Sequence, residues 1–486
     1  MKYHIFLVYF LTVTVQLFGQ NEVDIYRYSN TINEGSARFE AMAGSFGALG
    51  AEGGSARINP AGFGRYSNST LGFSMSVLST SNNASFQGVD TKEGRGVFRV
   101  PSMQAVFVSD ISSNRNGFLF WQVGVGYNRV ANYFNEYHYE GQQYESLLDG
   151  FASQAQGVDP VDLNYLFPFS SSMAYETYCM DYDGNYYQPR LTAGDMYHDR
   201  TISTKGGINE YYFSLSANYL NKLYVGANIG FETLKYTENT HHNERLLDYT
   251  GVSLRSFDYD YNFTTKGNGA NVKIGAIYLP TENMRFGLAM HSPTSFSLLD
   301  KADADMRAVH DTGVKTVPES LQPSLEYKYT LVTPARIIGS YAIVFNNKGC
   351  INIDAELLDY RWGKLKSTTD ENYVSYDFKA ENNAADMRFR TVINLRIGGE
   401  MVIRNKLFIR GGYGFFPIGD KNQLVNSAKF DQLYSGGLGL KWNQLTLEFA
   451  VKYLQQLKHY EAFSGSAASI KANTTTYVLG LLFKLP

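Results

Sequence analysis

The chain has 486 residues, with 43 Lys or Arg, 46 Asp or Glu and a formal net charge of −3 at pH 7. Charges of both signs are spread along the sequence, which indicates no basic surface for nucleic-acid binding. Aromatic residues make up 15% of the chain, yet its mean hydropathy is −0.27. This combination is typical of an outer-membrane barrel, in which every second residue faces the lumen and Tyr lies at both membrane interfaces. A large secreted β-sandwich or propeller is the alternative until the strands are counted.

The first residues predict export. Met1-Lys2 is a minimal positively charged region, an apolar stretch from Ile5 to Phe18 follows it, and Gly19 is a small residue suited to cleavage. This pattern predicts a signal peptide at residues 1–19. The rest of the sequence has no apolar run of about 18 residues, so no membrane-spanning helix is predicted.

Residues 20–66 are predicted to form a small plug, or hatch. Glycine recurs at positions 44, 47, 50 and 53, and few bulky side chains surround these glycines. A segment of this composition cannot build a hydrophobic core of its own. It can, however, fold inside a space that another structure encloses.

The motif Asn59-Pro60-Ala61-Gly62 follows the glycines. Pro60 fixes its own φ and favours an extended backbone at Asn59. The Asn59 side chain can bond nearby backbone groups and so mimic a turn. The motif therefore predicts a rigid corner between the hatch and the first strand, with an ordinary turn as the alternative.

Segments of alternating polar and apolar residues predict fourteen strands. They lie at 69–79, 102–109, 117–130, 208–220, 222–236, 253–279, 284–298, 323–346, 349–365, 388–403, 406–415, 433–442, 444–456 and 475–485. The connections between them alternate between long and short, which is characteristic of outer-membrane barrels with external loops and periplasmic turns. The sequence thus predicts an all-β fold, a 14-stranded antiparallel transmembrane β-barrel at residues 67–486 with the hatch inside its lumen.

The longest connection, 131–207, contains a stretch with helical periodicity. Leu147, Leu148 and Phe151 fall on one face of this stretch. The face is a candidate for capturing an apolar ligand at the barrel mouth. Packing against neighbouring loops is the alternative interpretation.

A few other residues invite a chemical interpretation. His241 and His242 lie in a predicted external loop without acidic or cysteine companions, so we expect solvated side chains and no bound metal. Cys179 and Cys350 are predicted at opposite ends of the barrel and therefore unpaired, with Cys179 the more reactive thiol.

No hydrolase or nucleotide-binding motif is present, and no catalytic residue or cofactor is predicted. A hydrolase whose site is assembled from separate strands stays open as an alternative.

Several motifs resemble a known family. Gly35-Ser36-Ala37-Arg38, Asn59-Pro60-Ala61-Gly62 and the stretch from Arg285 to Thr294 are similar to segments of the FadL/TodX-type outer-membrane transporters of hydrophobic compounds. The resemblance implies a hatch-plugged barrel of fourteen strands that passes apolar molecules through the outer membrane of a Gram-negative bacterium by diffusion. The 131–207 insert departs from the family, so the ligand is not carried over.

The resemblance also suggests a lateral gate. In that family the third strand is kinked and opens the barrel wall, and here the third predicted strand carries Gly124 and Gly126 in its interior. Interior glycines mark bends or the close approach of another backbone. The two glycines are therefore candidate gate residues, or they only make room for the hatch.

Two classes of function follow from these patterns. The first is a passive transporter of fatty-acid-like or similar hydrophobic molecules, gated by the hatch. The second is a barrel of the same fold that serves as a structural or carrier subunit of a larger secretion or barrel-assembly complex. The expected partners are outer-membrane lipids, a hydrophobic small-molecule ligand and, in the second case, other outer-membrane proteins.

Overall fold

The computed structural model describes residues 22–114, 117–191, 196–248, 253–346, 348–423, 429–463 and 466–485. The predicted signal peptide at 1–19 lies outside these residues. One large antiparallel sheet dominates the fold. Its first strand pairs with its second and with its last, so the sheet closes into a barrel.

The strands are numbered β1 to β21 in chain order. They are β1 Thr70–Phe86, β2 Val89–Asp110, β3 Phe118–Asn132, β4 Asn135–Gln143, β5 Met180–Tyr182, β6 Tyr187–Pro189, β7 Met196–Tyr219, β8 Leu223–Leu246, β9 Leu254–Tyr278, β10 Met284–His291, β11 Ser295–His310, β12 Gly313–Thr316, β13 Ser324–Val332, β14 Arg336–Phe345, β15 Gly349–Asp359, β16 Lys364–Ser367, β17 Thr391–Ile403, β18 Leu407–Pro417, β19 Phe430–Trp442, β20 Leu445–Glu461 and β21 Ala467–Lys484.

Four pairs of consecutive strands are single wall strands with a short interruption. β3 and β4 both pair with β7, and β10 and β11 both pair with β9. β13 and β14 pair with β11 and β10 on one side and with β16 and β15 on the other, so β13–β14 and β15–β16 are also single wall strands. The small hairpin β5–β6 and the short β12 are additions to this wall. Counted in this way the barrel has 14 strands, and the predicted fold class and strand number are confirmed.

At one end of the barrel, here called the short-turn end, a few residues join neighbouring strands. Leu220, Asn221, Arg404, Asn405 and Asn443 have positive φ in these turns. Such turns match the right-handed twist of the flanking strands, and Asn tolerates this conformation well. The positions of the short turns agree with the predicted connections.

The opposite end, here called the loop end, differs from the prediction. Residues 80–101 are predicted as a loop, but β1 and β2 continue through them and turn at Gln87-Gly88. Similarly, β8 continues to Leu246, beyond its predicted end at 236. The extensions carry mostly polar residues on their outward face, with Phe98 as an exposed exception, so the apolar alternation that marks a membrane strand ends before the strand itself does.

The outward face carries an apolar band near the short-turn end. Phe213, Ile229, Phe231 and Leu479 are all exposed large side chains in this band. Farther along β8, toward the loop end, the exposed positions are polar, as at Lys235, Asn239 and His241. The band therefore covers only part of the barrel height.

The helices are short. They are α1 Val23–Ser29, α2 Ala37–Ala41, α3 Ser55–Ile58, α4 Leu147–Ala155, α5 Leu163–Leu166, α6 Ser171–Glu176 and α7 Lys379–Arg388. In the part of the chain that the structure describes, no helix is both long enough and apolar enough to cross a membrane.

The N-terminal segment (residues 22–66) lies inside the closed sheet. Its helix α2 contacts β18, β19, β20 and β21, whereas a 3-10 turn at Pro60–Arg65 contacts β3, β7, β8 and β9. These two sets of strands lie on opposite sides of the barrel. The segment therefore crosses the interior from one side of the wall to the other.

The interior toward the loop end is filled by a large apolar cluster. It is rich in aromatic side chains that are fully buried, among them Tyr28, Phe257, Phe296 and Tyr329. Aromatic rings bury large areas, and Tyr keeps a polar group that can find a partner. The barrel is thus a packed body at this end rather than an open tube.

Candidate functional site

Glycines on the inner face of the wall make room for the N-terminal segment. A β-carbon built on Gly226 would lie 2.5 Å from the Pro60 carbonyl group, and one on Gly287 would lie 2.3 Å from the Gly47 oxygen. Atoms in packed interiors do not approach so closely, so a larger residue would displace the segment. Eight strands carry such glycines, here called the wall glycines, which are Gly124, Gly226, Gly275, Gly287, Gly398, Gly412, Gly437 and Gly480.

Buried and partly buried ion pairs join the N-terminal segment to the wall. Arg38 of α2 donates to the Glu400 carboxylate of β17 at 3.0 and 3.2 Å. Arg57 of α3 lies 3.3 Å from Glu210 and 3.3 Å from Glu232. Breaking a pair of this kind strongly destabilises a fold, because one charge is left buried without compensation. The pairs therefore specify the position of the segment within the barrel.

The Asn-Pro-Ala-Gly motif lies at the corner between the segment and the wall. The Asn59 backbone is extended, and its side-chain oxygen accepts a hydrogen bond from Ala61 N at 3.1 Å. Its amide donates to the Gly47 carbonyl at 2.7 Å and to the Ala276 carbonyl of β9 at 3.1 Å. Pro60 begins the 3-10 turn, which continues through Ala61 and Gly62. Asn59 thus ties the segment both to itself and to the wall, which is the geometry that a rigid corner requires.

The two candidate gate glycines have different surroundings. A β-carbon on Gly124 would lie 2.0 Å from the Phe63 ring of the N-terminal segment, so this position makes room for the segment. One on Gly126 would lie 2.5 Å from the Met103 carbonyl and 2.5 Å from the Tyr212 hydroxyl, which are both groups of the wall. The lateral-gate role of Gly124 and Gly126 stays a prediction.

The wall is irregular beside Gly126. β2 pairs with β3 only over Ser102–Asp110, whereas residues 89–99 of β2 pair with β1 alone. The register between β1 and β2 also shifts between Ser74 and Ser76, which gives β2 one extra residue next to Pro101. A bulge of this kind bends a strand and interrupts the ladder.

A groove lies on the barrel wall at this irregularity. Its volume is about 730 Å³, and its lining is largely apolar. The residues that line it include Leu71, Met103, Ala105, Val125 and Gly126. Because Leu71, Met103 and Val125 are exposed side chains of the apolar band, the groove faces the surroundings of the barrel. We call it the wall groove.

The candidate capture residues lie at the loop end. Leu147, Leu148 and Phe151 are buried on one face of α4, and the Phe151 ring lies edge-on to Tyr259 at 5.7 Å between centroids. The predicted helix is therefore present, and its apolar face packs into the neighbouring strands rather than lining an open surface. Ligand capture by these residues stays a prediction.

The histidine pair departs from the expectation of two solvated side chains. His241 is 48% exposed and lies 2.7 Å from Asp260. His242, by contrast, is buried and has both a histidine and a carboxylate nearby, His198 and Glu244. The expectation is wrong for His242 because the pair lies on a regular strand, where successive side chains point to opposite faces.

The cysteines are unpaired, as predicted. The expectation that Cys179 is the more reactive thiol is wrong, because its side chain is completely buried. Burial raises the pKa of the Cys179 thiol to about 12. The thiolate is the reactive form, so this cysteine is protected at neutral pH.

The fold defines a class of protein. A closed sheet of 14 antiparallel strands with an apolar outer band, short turns at one end and long loops at the other is an outer-membrane β-barrel. The interior segment distinguishes this chain from barrels with a water-filled lumen. No protein-family model and no curated protein matches the sequence.

Solved structures share this fold at low sequence identity. The crystal structure of a Pseudomonas aeruginosa FadL homologue is 12% identical, covers 93% of this chain and 99% of its own, and has a TM-score of 0.55. The Pseudomonas putida toluene transporter TodX is 13% identical over 93% of this chain and 98% of its own, with a TM-score of 0.51. CymD, a monoaromatic hydrocarbon channel, is 12% identical over 94% and 98%, with a TM-score of 0.51. The resemblance stated from the motifs is confirmed as a shared FadL-type fold.

Most of the residues that position the N-terminal segment were not predicted from the sequence. No local pattern in the sequence marks the wall glycines as a set, although each lies in the interior of a predicted strand, where glycine is otherwise unfavourable. The repetition of interior glycines on so many strands is the sequence signal that indicates close approach of another segment. The partners of Arg38 and Arg57 could not be predicted, since strand register alone decides which carboxylate faces each arginine.

Proposed function

We propose that the chain is a passive outer-membrane channel for hydrophobic small molecules, with the N-terminal segment as its hatch. The observation that carries the proposal is the fit of this segment to the wall glycines and to buried ion pairs inside the barrel. A fourteen-stranded wall encloses more space than its own inward side chains fill, so the segment closes what would otherwise be a pore. The shared fold with the FadL homologue, TodX and CymD supports the same function.

The charges near the segment favour a lateral path for the ligand. Arg57, Glu210, Glu232 and Lys273 form a buried charged network across the interior. An apolar molecule that crossed this level would separate charges from their partners, which is strongly unfavourable. The wall groove lies beside the network, since Tyr211 lines the groove and the adjacent Glu210 belongs to the network, and it offers an exit into the apolar part of the bilayer. The ligand class that fits such a path is a small apolar molecule, of the fatty-acid or monoaromatic type.

Uptake measurements test the proposal. Cells that lack their own channel for hydrophobic compounds are given the full-length protein, and uptake of a radiolabelled long-chain fatty acid and of toluene is measured. The channel is expected to increase the uptake of at least one of the two. Equal uptake with and without a correctly inserted barrel would contradict the proposal.

A matched pair of variants tests the lateral path. Ala105→Trp fills the wall groove and is expected to reduce uptake. Ala227→Trp places the same side chain on the outward face of β8, away from the groove, and is expected to leave uptake unchanged. If the two variants transport equally well, the groove is not on the path.

A second function is favoured by one observation. Val161 is 86% exposed and Tyr165 is 88% exposed at the loop end, outside the apolar band. Exposed aromatic and aliphatic side chains of this kind suit docking of another protein, as expected for a carrier subunit of a larger assembly. Purification in mild detergent distinguishes the two functions, because a carrier subunit retains stoichiometric protein partners and a channel does not.

A further inference from the structure

Three buried side chains converge at the loop end, away from the wall groove and the N-terminal segment. His198 of β7 is the direct cross-strand partner of Glu244 of β8, and His242 lies two residues before Glu244 on the same face. Each of the three is at most 1% exposed. One potential ligand atom from each lies within 4.8 Å of the other two.

The cluster lies outside the apolar band. The exposed residues of β8 are apolar at Ile229 and Phe231, but polar at Lys235, Asn239 and His241. His242 and Glu244 lie beyond this change, in the part of the barrel that extends into water. Ions in the surrounding solution can therefore reach this end of the protein.

The distances fit a small metal ion. His242 Nε2 lies 2.8 Å and His198 Nδ1 lies 3.5 Å from Glu244 Oε1. Metal–ligand bonds of about 2.0–2.2 Å in a tetrahedral zinc site place neighbouring ligand atoms roughly 3.4 Å apart. Small side-chain shifts thus suffice to create the site, with the ion replacing the proton that His242 and Glu244 share.

The hydrogen bonding of the cluster is incomplete without an ion. Neither ring nitrogen of His198 has a hydrogen-bond partner among the described residues, and His242 Nδ1 also lacks one. Buried polar groups are nearly always satisfied, so such groups need an explanation. A metal ion supplies a partner that the described residues do not.

We infer that His198, His242 and Glu244 bind one Zn²⁺ ion. Two imidazoles and one carboxylate are ligands that zinc prefers, and three protein ligands leave a fourth position for water. The proposal is independent of the transport function, since none of the three residues lines the wall groove.

Neighbouring groups hold the Glu244 carboxylate in place. The Glu244 carboxylate accepts hydrogen bonds from Ser146 Oγ and from Leu147 N at the start of α4. Such outer partners orient a metal ligand. Through these bonds, the ion would also fix α4 and the external loop to the wall.

Arg200 is a buried cation beside the three side chains. It follows His198 on the same face of β7 and pairs with His242 in the register. Its guanidinium group lies over the Tyr460 ring, 5.6 Å from the centroid, which directs the charge toward that ring. Because a neighbouring cation repels a metal ion, Arg200→Gln is expected to tighten zinc binding.

Calorimetry with ZnCl2 tests the site on the full-length protein, purified in detergent and freed of metal with EDTA. We expect one ion per chain. His198→Ala and His242→Ala are expected to abolish binding, and Ser146→Ala to weaken it by about 10-fold or more. The matched control is His241→Ala, which removes the exposed neighbour and should bind as the parent protein does.

Two results would overturn the assignment. One is a folded parent protein that binds no zinc. The other is binding that survives His198→Ala but is lost in His138→Ala, which would assign the ion to the partly exposed group of His138, Glu140 and Asp199. Co²⁺ provides a readout without any variant, because a tetrahedral site with two imidazoles gives intense visible absorption. Weak octahedral bands, or none, would count against the site.

Discussion

At Gly275 a single hydrogen atom separates the wall from the N-terminal segment. A β-carbon there would lie 2.0 Å from the Asn59 side-chain oxygen. The fit depends on the absence of a side chain at such positions, because each wall glycine leaves space that the segment occupies. The segment and the wall are therefore complementary at the level of single atoms, and one added side chain is enough to disturb them.

Gly275→Val is expected to displace the segment. Overpacking of this kind destabilises a fold by about 1–3 kcal/mol, and here the segment gives way before the hydrogen-bonded wall does. We expect a lower thermal midpoint and a higher conductance in planar bilayers. The control is Gly339→Val, since a β-carbon on Gly339 meets nothing within 4 Å. Equal behaviour of the two variants would contradict the close fit.

The thiol of Cys179 is expected to be unreactive in the folded protein. Its pKa of about 12 leaves almost no thiolate at pH 8, and burial blocks reagents as well. Labelling should rise only on unfolding or as the pH approaches this pKa. Tyr178→Cys is the matched control, because Tyr178 is exposed. Rapid labelling of Cys179 in the folded barrel would show that this part of the loop opens.

At the scale of elements, the alternation of polar and apolar residues predicts the membrane-facing parts of the strands but not the parts that face water. The fourteen wall strands were predictable because each has an apolar outward face near the short-turn end. The extensions of β1 and β2, and all of β4, were not, because their outward residues face water and carry no such pattern. The helix α4 was predictable because its buried face repeats with helical period.

Contacts between elements cannot be predicted from local sequence patterns. His198 and Glu244 lie on separate strands, and only the register of β7 against β8 makes them neighbours. The sequence does not contain that register in any local pattern. The metal-site candidate and the ion pairs of the N-terminal segment can therefore be found only from the structure. The Asn-Pro-Ala-Gly corner is a local feature and can be predicted from the sequence.

The two ends of the barrel should face opposite sides of the membrane. An epitope inserted after Gln87, at the loop end, is expected to bind antibody on intact cells. The same epitope inserted after Asn443, at the short-turn end, should be detected only after the outer membrane is permeabilised, because short turns are periplasmic in such barrels. Detection of both insertions on intact cells would contradict this orientation.

At the scale of the whole molecule, the interior has two parts with different chemistry. Toward the loop end it is an apolar, aromatic cluster, and around the N-terminal segment it is a network of buried charges. The first part is closely packed, and the second is unfavourable for an apolar molecule because its charges would lose their partners. A channel with this division needs a closed lumen and an exit through its wall, which is what the segment and the wall groove provide in our proposal.

The most direct test of the proposed hatch is the conductance of a barrel without residues 35–58. The deletion removes Arg38, Arg57 and the residues that lie against five of the eight wall glycines, but it leaves every wall strand intact. If the segment closes the lumen, the variant should insert as a folded barrel and show a large, stable increase in single-channel conductance in planar bilayers. Unchanged conductance in a correctly folded variant would contradict the proposal, because the segment would then not be what closes the pore.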